Sequence, residues 1–141
     1  KVQMNSLIVY PKLTSGLFNN KYALKLAGIV KDPIQILLKI ESLLPREWKK
    51  KLIDMNTRDL RDEEILQADH VFIIAMFDQE ESTSKVIAKC KKLNAKIVAY
   101  GSLFTSSDEY YRNVDHLVLD EAEIPTPQFL NDLIEGKQKY N

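Results

Sequence analysis

The feature that most constrains this chain is the apolar run HVFIIAM at residues 70–76, with Asp69 before it and Asp78 after it. A run this short and this rich in β-branched and aromatic residues predicts a strand that is buried on both faces. Only a strand inside a sheet with helices on both sides is buried in this way, so the run predicts a doubly wound α/β domain. Ligands of such sheets bind outside the carboxyl ends of the strands, near the reversal of strand order. Residues 75–79 are therefore expected to lie at the site.

The rest of the chain alternates predicted strands and helices. Strands are predicted at residues 6–10, 51–55, 96–100 and 116–119, and helices at residues 33–44, 62–66, 82–93 and from residue 126 onward. Such alternation favours parallel strands joined by right-handed crossovers. The prediction is a single α/β domain over residues 1–141. It has three layers, is flavodoxin-like or Rossmann-like, and contains a five-stranded parallel sheet in the order 2-1-3-4-5.

Composition excludes several classes of function. The 20 basic residues balance the 20 acidic residues, so no basic excess indicates a nucleic-acid partner. The single cysteine rules out an internal disulfide and a cysteine-built metal or iron–sulfur site. It also fits a reducing compartment, and we expect the protein to be cytoplasmic. No apolar run approaches the roughly 20 residues of a membrane-spanning helix.

The sequence contains no recognisable catalytic constellation. His70 and His116 each begin a predicted strand, at the edge opposite the expected site, so both are expected to be structural. Cys90 lies on the inward face of a predicted helix and is expected in the core. There is no G-x-S-x-G nucleophile elbow and no glycine-rich phosphate loop, and the TSG triplet at residues 14–16 only weakly indicates a flavin. No residue is therefore predicted to be catalytic or to ligate a metal.

Two segments at the expected ligand edge carry polar groups. The segment GSLFTS at residues 101–106 follows the fourth strand, where a glycine lets a ligand approach the backbone and hydroxyls can bond a polar tail. The segment DEAE at residues 120–123 follows the fifth strand, where carboxylates could accept bonds from ligand amides. An ordinary turn and a solvated acidic loop remain open alternatives for these two patterns.

Short motifs spread over nearly the whole chain occur in a characteristic order. They are LIVYPK at 7–12, YALK at 22–25, LLPREW at 43–48, LIDMN at 52–56, ADHVFI at 68–73, AM at 75–76, Gln79, Gly101, LFT at 103–105 and VDHLVLDEAE at 114–123. No single motif is specific. Together they resemble the N-terminal cobalamin-binding domain of radical S-adenosylmethionine enzymes, a group that includes hopanoid-methylase-like methyltransferases. The resemblance implies a flavodoxin-like domain that holds cobalamin against a downstream catalytic barrel.

The resemblance also implies a set of cofactor-binding residues at the strand ends. They are Tyr10, Pro11, Ala75, Met76, Gln79, Gly101, Ser102, Leu103, Phe104, Thr105, Glu121 and Glu123. Residues 10–32 contain no histidine. Cobalamin is therefore expected to bind without a histidine as its lower ligand, as this radical family generally binds it.

The same resemblance implies that the chain is a fragment. The three-cysteine motif that holds the iron–sulfur cluster of the family is absent, since the chain has one cysteine. The cluster and S-adenosylmethionine are therefore expected only in the missing radical barrel domain of the same protein, which is the expected partner. On this interpretation the parent protein is a radical S-adenosylmethionine methyltransferase, and residues 1–141 are non-catalytic by themselves.

Three departures from the family pattern keep alternatives open. Ile74 stands where the family has a serine, Tyr100 where it has a glycine, and Gln35 where it has a smaller residue. Each change removes a hydroxyl or a glycine, or adds bulk, at an expected contact surface. The first alternative is a degenerate Rossmann-like domain that no longer binds cobalamin and instead docks on the barrel or covers its substrate. The second is a different small-ligand domain, such as a flavin carrier.

Overall fold

The structure, a computed structural model, describes residues 4–13, 33–75, 79–101, 103–104 and 116–118 of the chain. Strands and helices alternate through these ranges. In chain order they are β1 (Asn5–Tyr10), α1 (Pro33–Leu43), β2 (Lys49–Asp54), α2 (Asp62–Gln67), β3 (His70–Ile74), α3 (Glu80–Lys92), β4 (Lys96–Tyr100) and β5 (His116–Val118). The helix predicted from residue 126 onward lies outside the described residues.

The strands form one parallel sheet in which β1 lies between β2 and β3. β4 pairs with the other side of β3, so the four longer strands confirm the predicted order 2-1-3-4. At the far edge, β5 pairs with β4 through three residues only. Among the described residues, the predicted five-stranded sheet is thus confirmed for four strands of five or six residues each, and the fifth is described over three residues only. Strand order reverses between β1 and β3, because the chain crosses from β1 to β2 on one side and then returns past β1 to β3.

Side chains on the two faces of the sheet form two separate apolar clusters. On one face, α1 packs over the central strands through Leu37 and Ile40. On the other face, α2 packs through Ile65, and α3 packs through Ile87 and Cys90. The described elements therefore form three layers, and Cys90, with 0% of its surface exposed, is a core residue as predicted.

The central strand β3 contributes to both clusters. Phe72 and Ile74 pack beneath α1, whereas Val71 and Ile73 pack beneath α2 and α3. None of these four side chains is more than 1% exposed. The prediction that this strand is buried on both faces is therefore confirmed. Burial of each such side chain contributes roughly 1.5–3 kcal/mol to stability, which explains why the sheet is organised around this strand.

Two elements begin two residues earlier than the sequence predicts. β2 begins at Lys49, two residues earlier than predicted, because the backbones of Lys49 and Lys50 pair with β1 although their side chains lie outside the apolar core. α3 begins at Glu80, also two residues earlier. Glu80 and Glu81 place negative charge at the amino end of this helix, and Lys89 and Lys91 place positive charge in its last turn. Both arrangements are favourable to the helix dipole.

Candidate ligand-binding edge

Seven of the predicted cofactor-binding residues lie in the described part of the chain, at the carboxyl ends of β1, β3 and β4. They are Tyr10, Pro11, Ala75, Gln79, Gly101, Leu103 and Phe104, and all seven are buried. The other five, Met76, Ser102, Thr105, Glu121 and Glu123, lie outside the described residues. The structure thus brings the seven to one edge of the sheet. Their contact with a cofactor stays a prediction.

The ends of β3 and β4 are tied together by backbone hydrogen bonds. The Ala75 N–H donates to the Tyr100 carbonyl at 3.0 Å, and the Ala75 carbonyl accepts from the Leu103 N–H at 3.2 Å. Gly101 makes the turn between these contacts with a φ of 124°. Residues that have a Cβ strongly disfavour this φ. Glycine is therefore required at position 101 by the turn itself, independently of any ligand that approaches it.

Two amide side chains hold the segment that follows β1. The Pro11 carbonyl accepts a hydrogen bond from Gln79 Nε2 at 2.8 Å, and Asn56 Nδ2 lies 3.5 Å from the same oxygen. Asn56 Oδ1 accepts from the Leu13 N–H at 3.0 Å. The sequence predicts Gln79 as a cofactor contact, but in this structure its side chain binds the backbone of the protein itself.

A hydroxyl from α3 holds the residue between these two contacts. The Lys12 N–H donates to Ser82 Oγ at 2.9 Å, in the first turn of the helix. Three consecutive residues after β1 therefore each have a backbone group held by a side chain from another element. We refer to Asn56, Gln79 and Ser82 together as the loop clamp.

Asp54, the last residue of β2, builds the turn that presents Asn56. Its Oδ1 accepts from the Asn56 backbone N–H at 3.0 Å and from Asn56 Nδ2 at 2.9 Å. Its carbonyl accepts from the Thr57 hydroxyl at 2.8 Å. An aspartate that ends a strand and is followed two residues later by asparagine is a recognisable sequence signal for such a turn. The sequence reasoning missed this signal, which marks both side chains as loop-fixing residues.

A cleft of about 360 Å³ borders the loop clamp outside the carboxyl ends of β1 and β2. It is lined by Lys12, Leu13, Met55, Asp59, Glu81, Ser82 and Lys85. Two basic and two acidic side chains balance one another there, and Lys85 Nζ lies 3.4 Å from Glu81. The volume is near the lower end of the range for small-ligand sites. Its balanced charge favours a neutral or zwitterionic group over an anion.

The opposite edge of the sheet holds a buried histidine. His70 is 1% exposed, its Nε2 lies 2.8 Å from Ser6 Oγ, and its ring packs against Trp48 and Phe72. Among the described residues, His70 Nδ1 has no hydrogen-bond partner. Burial lowers the pKa of His70 from 6.5 to about 4. The prediction that this histidine lies at the edge opposite the candidate site is confirmed.

A buried carboxylate near the same edge, that of Glu64, pairs with basic side chains. Glu64 is 5% exposed and forms a two-point salt bridge with Arg58, and Lys51 Nζ lies 3.0 Å from its Oε2. The hydrogen bond from Arg58 is the main reason that the pKa of Glu64 falls from 4.5 to about 2, against the opposing effect of burial. A cleft of about 430 Å³ borders this carboxylate. It lies at the amino edge of the strands, where doubly wound sheets do not bind their ligands.

Two kinds of feature are absent from the part of the chain that the structure describes. No group of three or more His, Cys, Asp or Glu side chains is placed there to hold a metal ion. No helix within those ranges is both long enough and apolar enough to cross a membrane.

The chain is similar to two curated proteins over nearly its whole length. It is 32% identical over 139 residues, 95% of the chain, to an uncharacterized methyltransferase of Synechocystis sp.. It is 28% identical over 129 residues, 90% of the chain, to the hopanoid C-2 methylase of Rhodopseudomonas palustris. Since the alignments cover 26% and 24% of these relatives, the chain spans about a quarter of their length. No protein-family model and no solved structure matches the chain. It is therefore related to one segment of proteins named as a methyltransferase and as a methylase.

Proposed function

We propose that this chain is a cobalamin-binding accessory domain, non-catalytic by itself, of a radical S-adenosylmethionine methyltransferase. Its similarity to a methyltransferase and to a methylase over 90–95% of its length supports a role in methyl transfer. The observation that supports ligand binding at this edge is the reversal of strand order between β1 and β3, because doubly wound sheets bind their ligands at such a reversal. The choice of cobalamin comes from the resemblance of the sequence motifs.

Small residues at the strand ends support the proposal of a cobalamin site. Ala75 and Gly101 put small residues at the ends of β3 and β4, at the edge that would face the corrin. A corrin carries amide side chains, which backbone groups and hydroxyls can bond. The hydroxyls of Ser102 and Thr105, both predicted contacts, would meet this need. In the longer protein, bound cobalamin would carry the methyl group, while the radical barrel would hold the iron–sulfur cluster and S-adenosylmethionine.

A specific observation favours the alternative, a degenerate domain that docks on the barrel or covers its substrate. All seven described candidate residues are buried, so a cofactor could touch their side chains only if the edge opened. Ile74 and Tyr100, which replace a serine and a glycine of the family pattern, both belong to the core cluster beneath α1. On this alternative the edge is filled by the protein itself, and no cobalamin binds.

Titration with hydroxocobalamin distinguishes the two functions. Visible absorbance and calorimetry are recorded with the 141-residue chain and with the longer protein that contains the barrel. The proposal predicts saturable binding and a spectrum without the signature of a histidine lower ligand. Absence of binding to both proteins would refute it in favour of the degenerate domain. A parallel titration with flavin mononucleotide tests the flavin alternative.

A matched pair of serine variants locates the binding edge. Ser102→Ala removes a predicted hydroxyl contact and is expected to weaken hydroxocobalamin binding about fivefold, the equivalent of one hydrogen bond. Ser84→Ala makes the same change on α3, outside the predicted contact set, and should leave the affinity unchanged. Equal affinities for Ser102→Ala and Ser84→Ala would show that the hydroxyl at position 102 makes no contact.

A further inference from the structure

The loop clamp joins the carboxyl ends of three neighbouring strands into one hydrogen-bonded unit. Asn56 follows β2, Gln79 follows β3, and both reach the backbone that follows β1. Ser82 binds the next backbone N–H from the first turn of α3. Since strand order reverses between β1 and β3, this unit spans the place where the proposed ligand would bind.

The side chains of the clamp direct their hydrogen bonds to the protein itself. Asn56 Nδ2 donates to Asp54 Oδ1 and lies 3.5 Å from the Pro11 carbonyl oxygen, while Asn56 Oδ1 accepts from the Leu13 N–H. Gln79 has 0% of its surface exposed, so a direct contact between its side chain and a cofactor would require the edge to open. The clamp can therefore act on a ligand through the loop backbone that it holds, without touching the ligand.

We propose that Asn56, Gln79 and Ser82 are positioning residues that fix residues 11–13 before a ligand arrives and thereby set the affinity of this edge for cobalamin. The inference rests on the function proposed above. A loop that already has its bound conformation loses less conformational entropy on binding, so preorganisation raises affinity. Loss of one clamp side chain is expected to free the loop and weaken binding while the domain stays folded.

The first experiment measures the loop in the ligand-free 141-residue chain. Gln79→Met removes the donor to the Pro11 carbonyl and keeps the length of the side chain. Hydrogen exchange of the Lys12 and Leu13 amides is expected to rise about tenfold, because a buried acceptor loses its main partner and local opening becomes easier. Gln67→Met is the matched control, since Gln67 is exposed at the end of α2 at the opposite edge.

The second experiment measures the affinity of the longer protein for hydroxocobalamin at a temperature where all variants are folded. Gln79→Met is expected to raise the Kd about tenfold, because freeing the loop lowers the fraction of molecules in the binding conformation and the Kd rises in inverse proportion to that fraction. Ile87→Val trims the core beneath α3 and lowers global stability without touching the clamp, so its Kd should equal that of the wild type. Ser82→Thr keeps the hydroxyl that Lys12 binds and should retain affinity, whereas Ser82→Ala should lose it.

The outcomes separate the clamp from the proposed function. Unchanged hydrogen exchange of the Lys12 and Leu13 amides in Gln79→Met would overturn the inference that the clamp holds the loop. Raised exchange with an unchanged Kd would overturn the positioning role. If the wild-type protein does not bind hydroxocobalamin, the positioning role falls together with the proposed function. Raised exchange in Gln79→Met would then still show that the clamp holds the loop.

Discussion

Burial of His70 makes the stability of this domain depend on pH in a defined window. The unfolded chain takes up a proton on this side chain near pH 6.5, but the folded chain does so only near pH 4. Between these values the unfolded state binds more protons, so a fall in pH favours unfolding. The stabilisation is complete above pH 6.5 and is lost progressively as the pH falls toward 4. The full loss is about 3 kcal/mol, of which about 2 kcal/mol is lost by pH 5.

Urea denaturation at pH 7.5 and pH 5 measures this loss, with His70→Gln as the reference protein. Glutamine can still bond the Ser6 hydroxyl, which lies 2.8 Å from His70 Nε2, but it does not titrate. All other titratable groups are common to both proteins, so the difference between the two pH dependences isolates His70. The wild type should lose about 2 kcal/mol more than the variant between the two pH values. Parallel losses would show that the imidazole takes up its proton at an ordinary pH, and the reasoning from burial would be refuted.

Two further predictions concern other buried polar side chains. In urea denaturation at pH 7, Glu64→Gln should lower the free energy of unfolding by about 1–2 kcal/mol. This value is discounted for solvent screening, because Arg58 and Lys51 are 40% and 53% exposed. Glu63→Gln, on the exposed neighbour, should cost less than about 0.5 kcal/mol. The stabilisation by Glu64 should be present above pH 4.5 and be lost as the pH falls toward 2. Equal losses of stability in Glu64→Gln and Glu63→Gln would contradict this prediction. Thr83→Val should be neutral or stabilise by up to about 1 kcal/mol, because the Thr83 hydroxyl is 0% exposed and has no hydrogen-bond partner among the described residues. A clear loss of stability in Thr83→Val would reveal a partner for that hydroxyl.

The central layer of the fold could be predicted because its signal is local. Residues 70–74 form an apolar run too short for a helix and too β-branched for a loop, so strand, burial and sheet position all follow from the run itself. The starts of β2 and α3 could not be predicted to the residue. At Lys49 the strand is extended by its partner β1, and at Glu80 the helix is extended by charge at its first turn, so neither boundary is marked by apolar residues.

The position of the candidate site followed from topology, but the roles of its side chains did not. Parallel strands bring their carboxyl ends to one edge, so Pro11 and Gln79 could be assigned to that edge from sequence. That Gln79 would bind the carbonyl of Pro11 was beyond sequence reasoning, because the two residues are 68 positions apart and nothing local links them. The turn at Asp54 could have been predicted from the sequence, whereas the backbone groups that Asn56 holds could not.

The interior position of β1 has a consequence for how the protein is made. β1 leaves the ribosome before β3, and its residue Ser6 pairs with a residue 64 positions later. Until β3 has emerged, a nascent chain carries the apolar residues of β1 without the neighbour that completes their burial. Unpaired apolar strands of this kind are prone to aggregation and attract chaperones. Expression at low temperature or with co-produced chaperones should therefore improve the yield of this chain more than that of a domain whose first strand lies at a sheet edge.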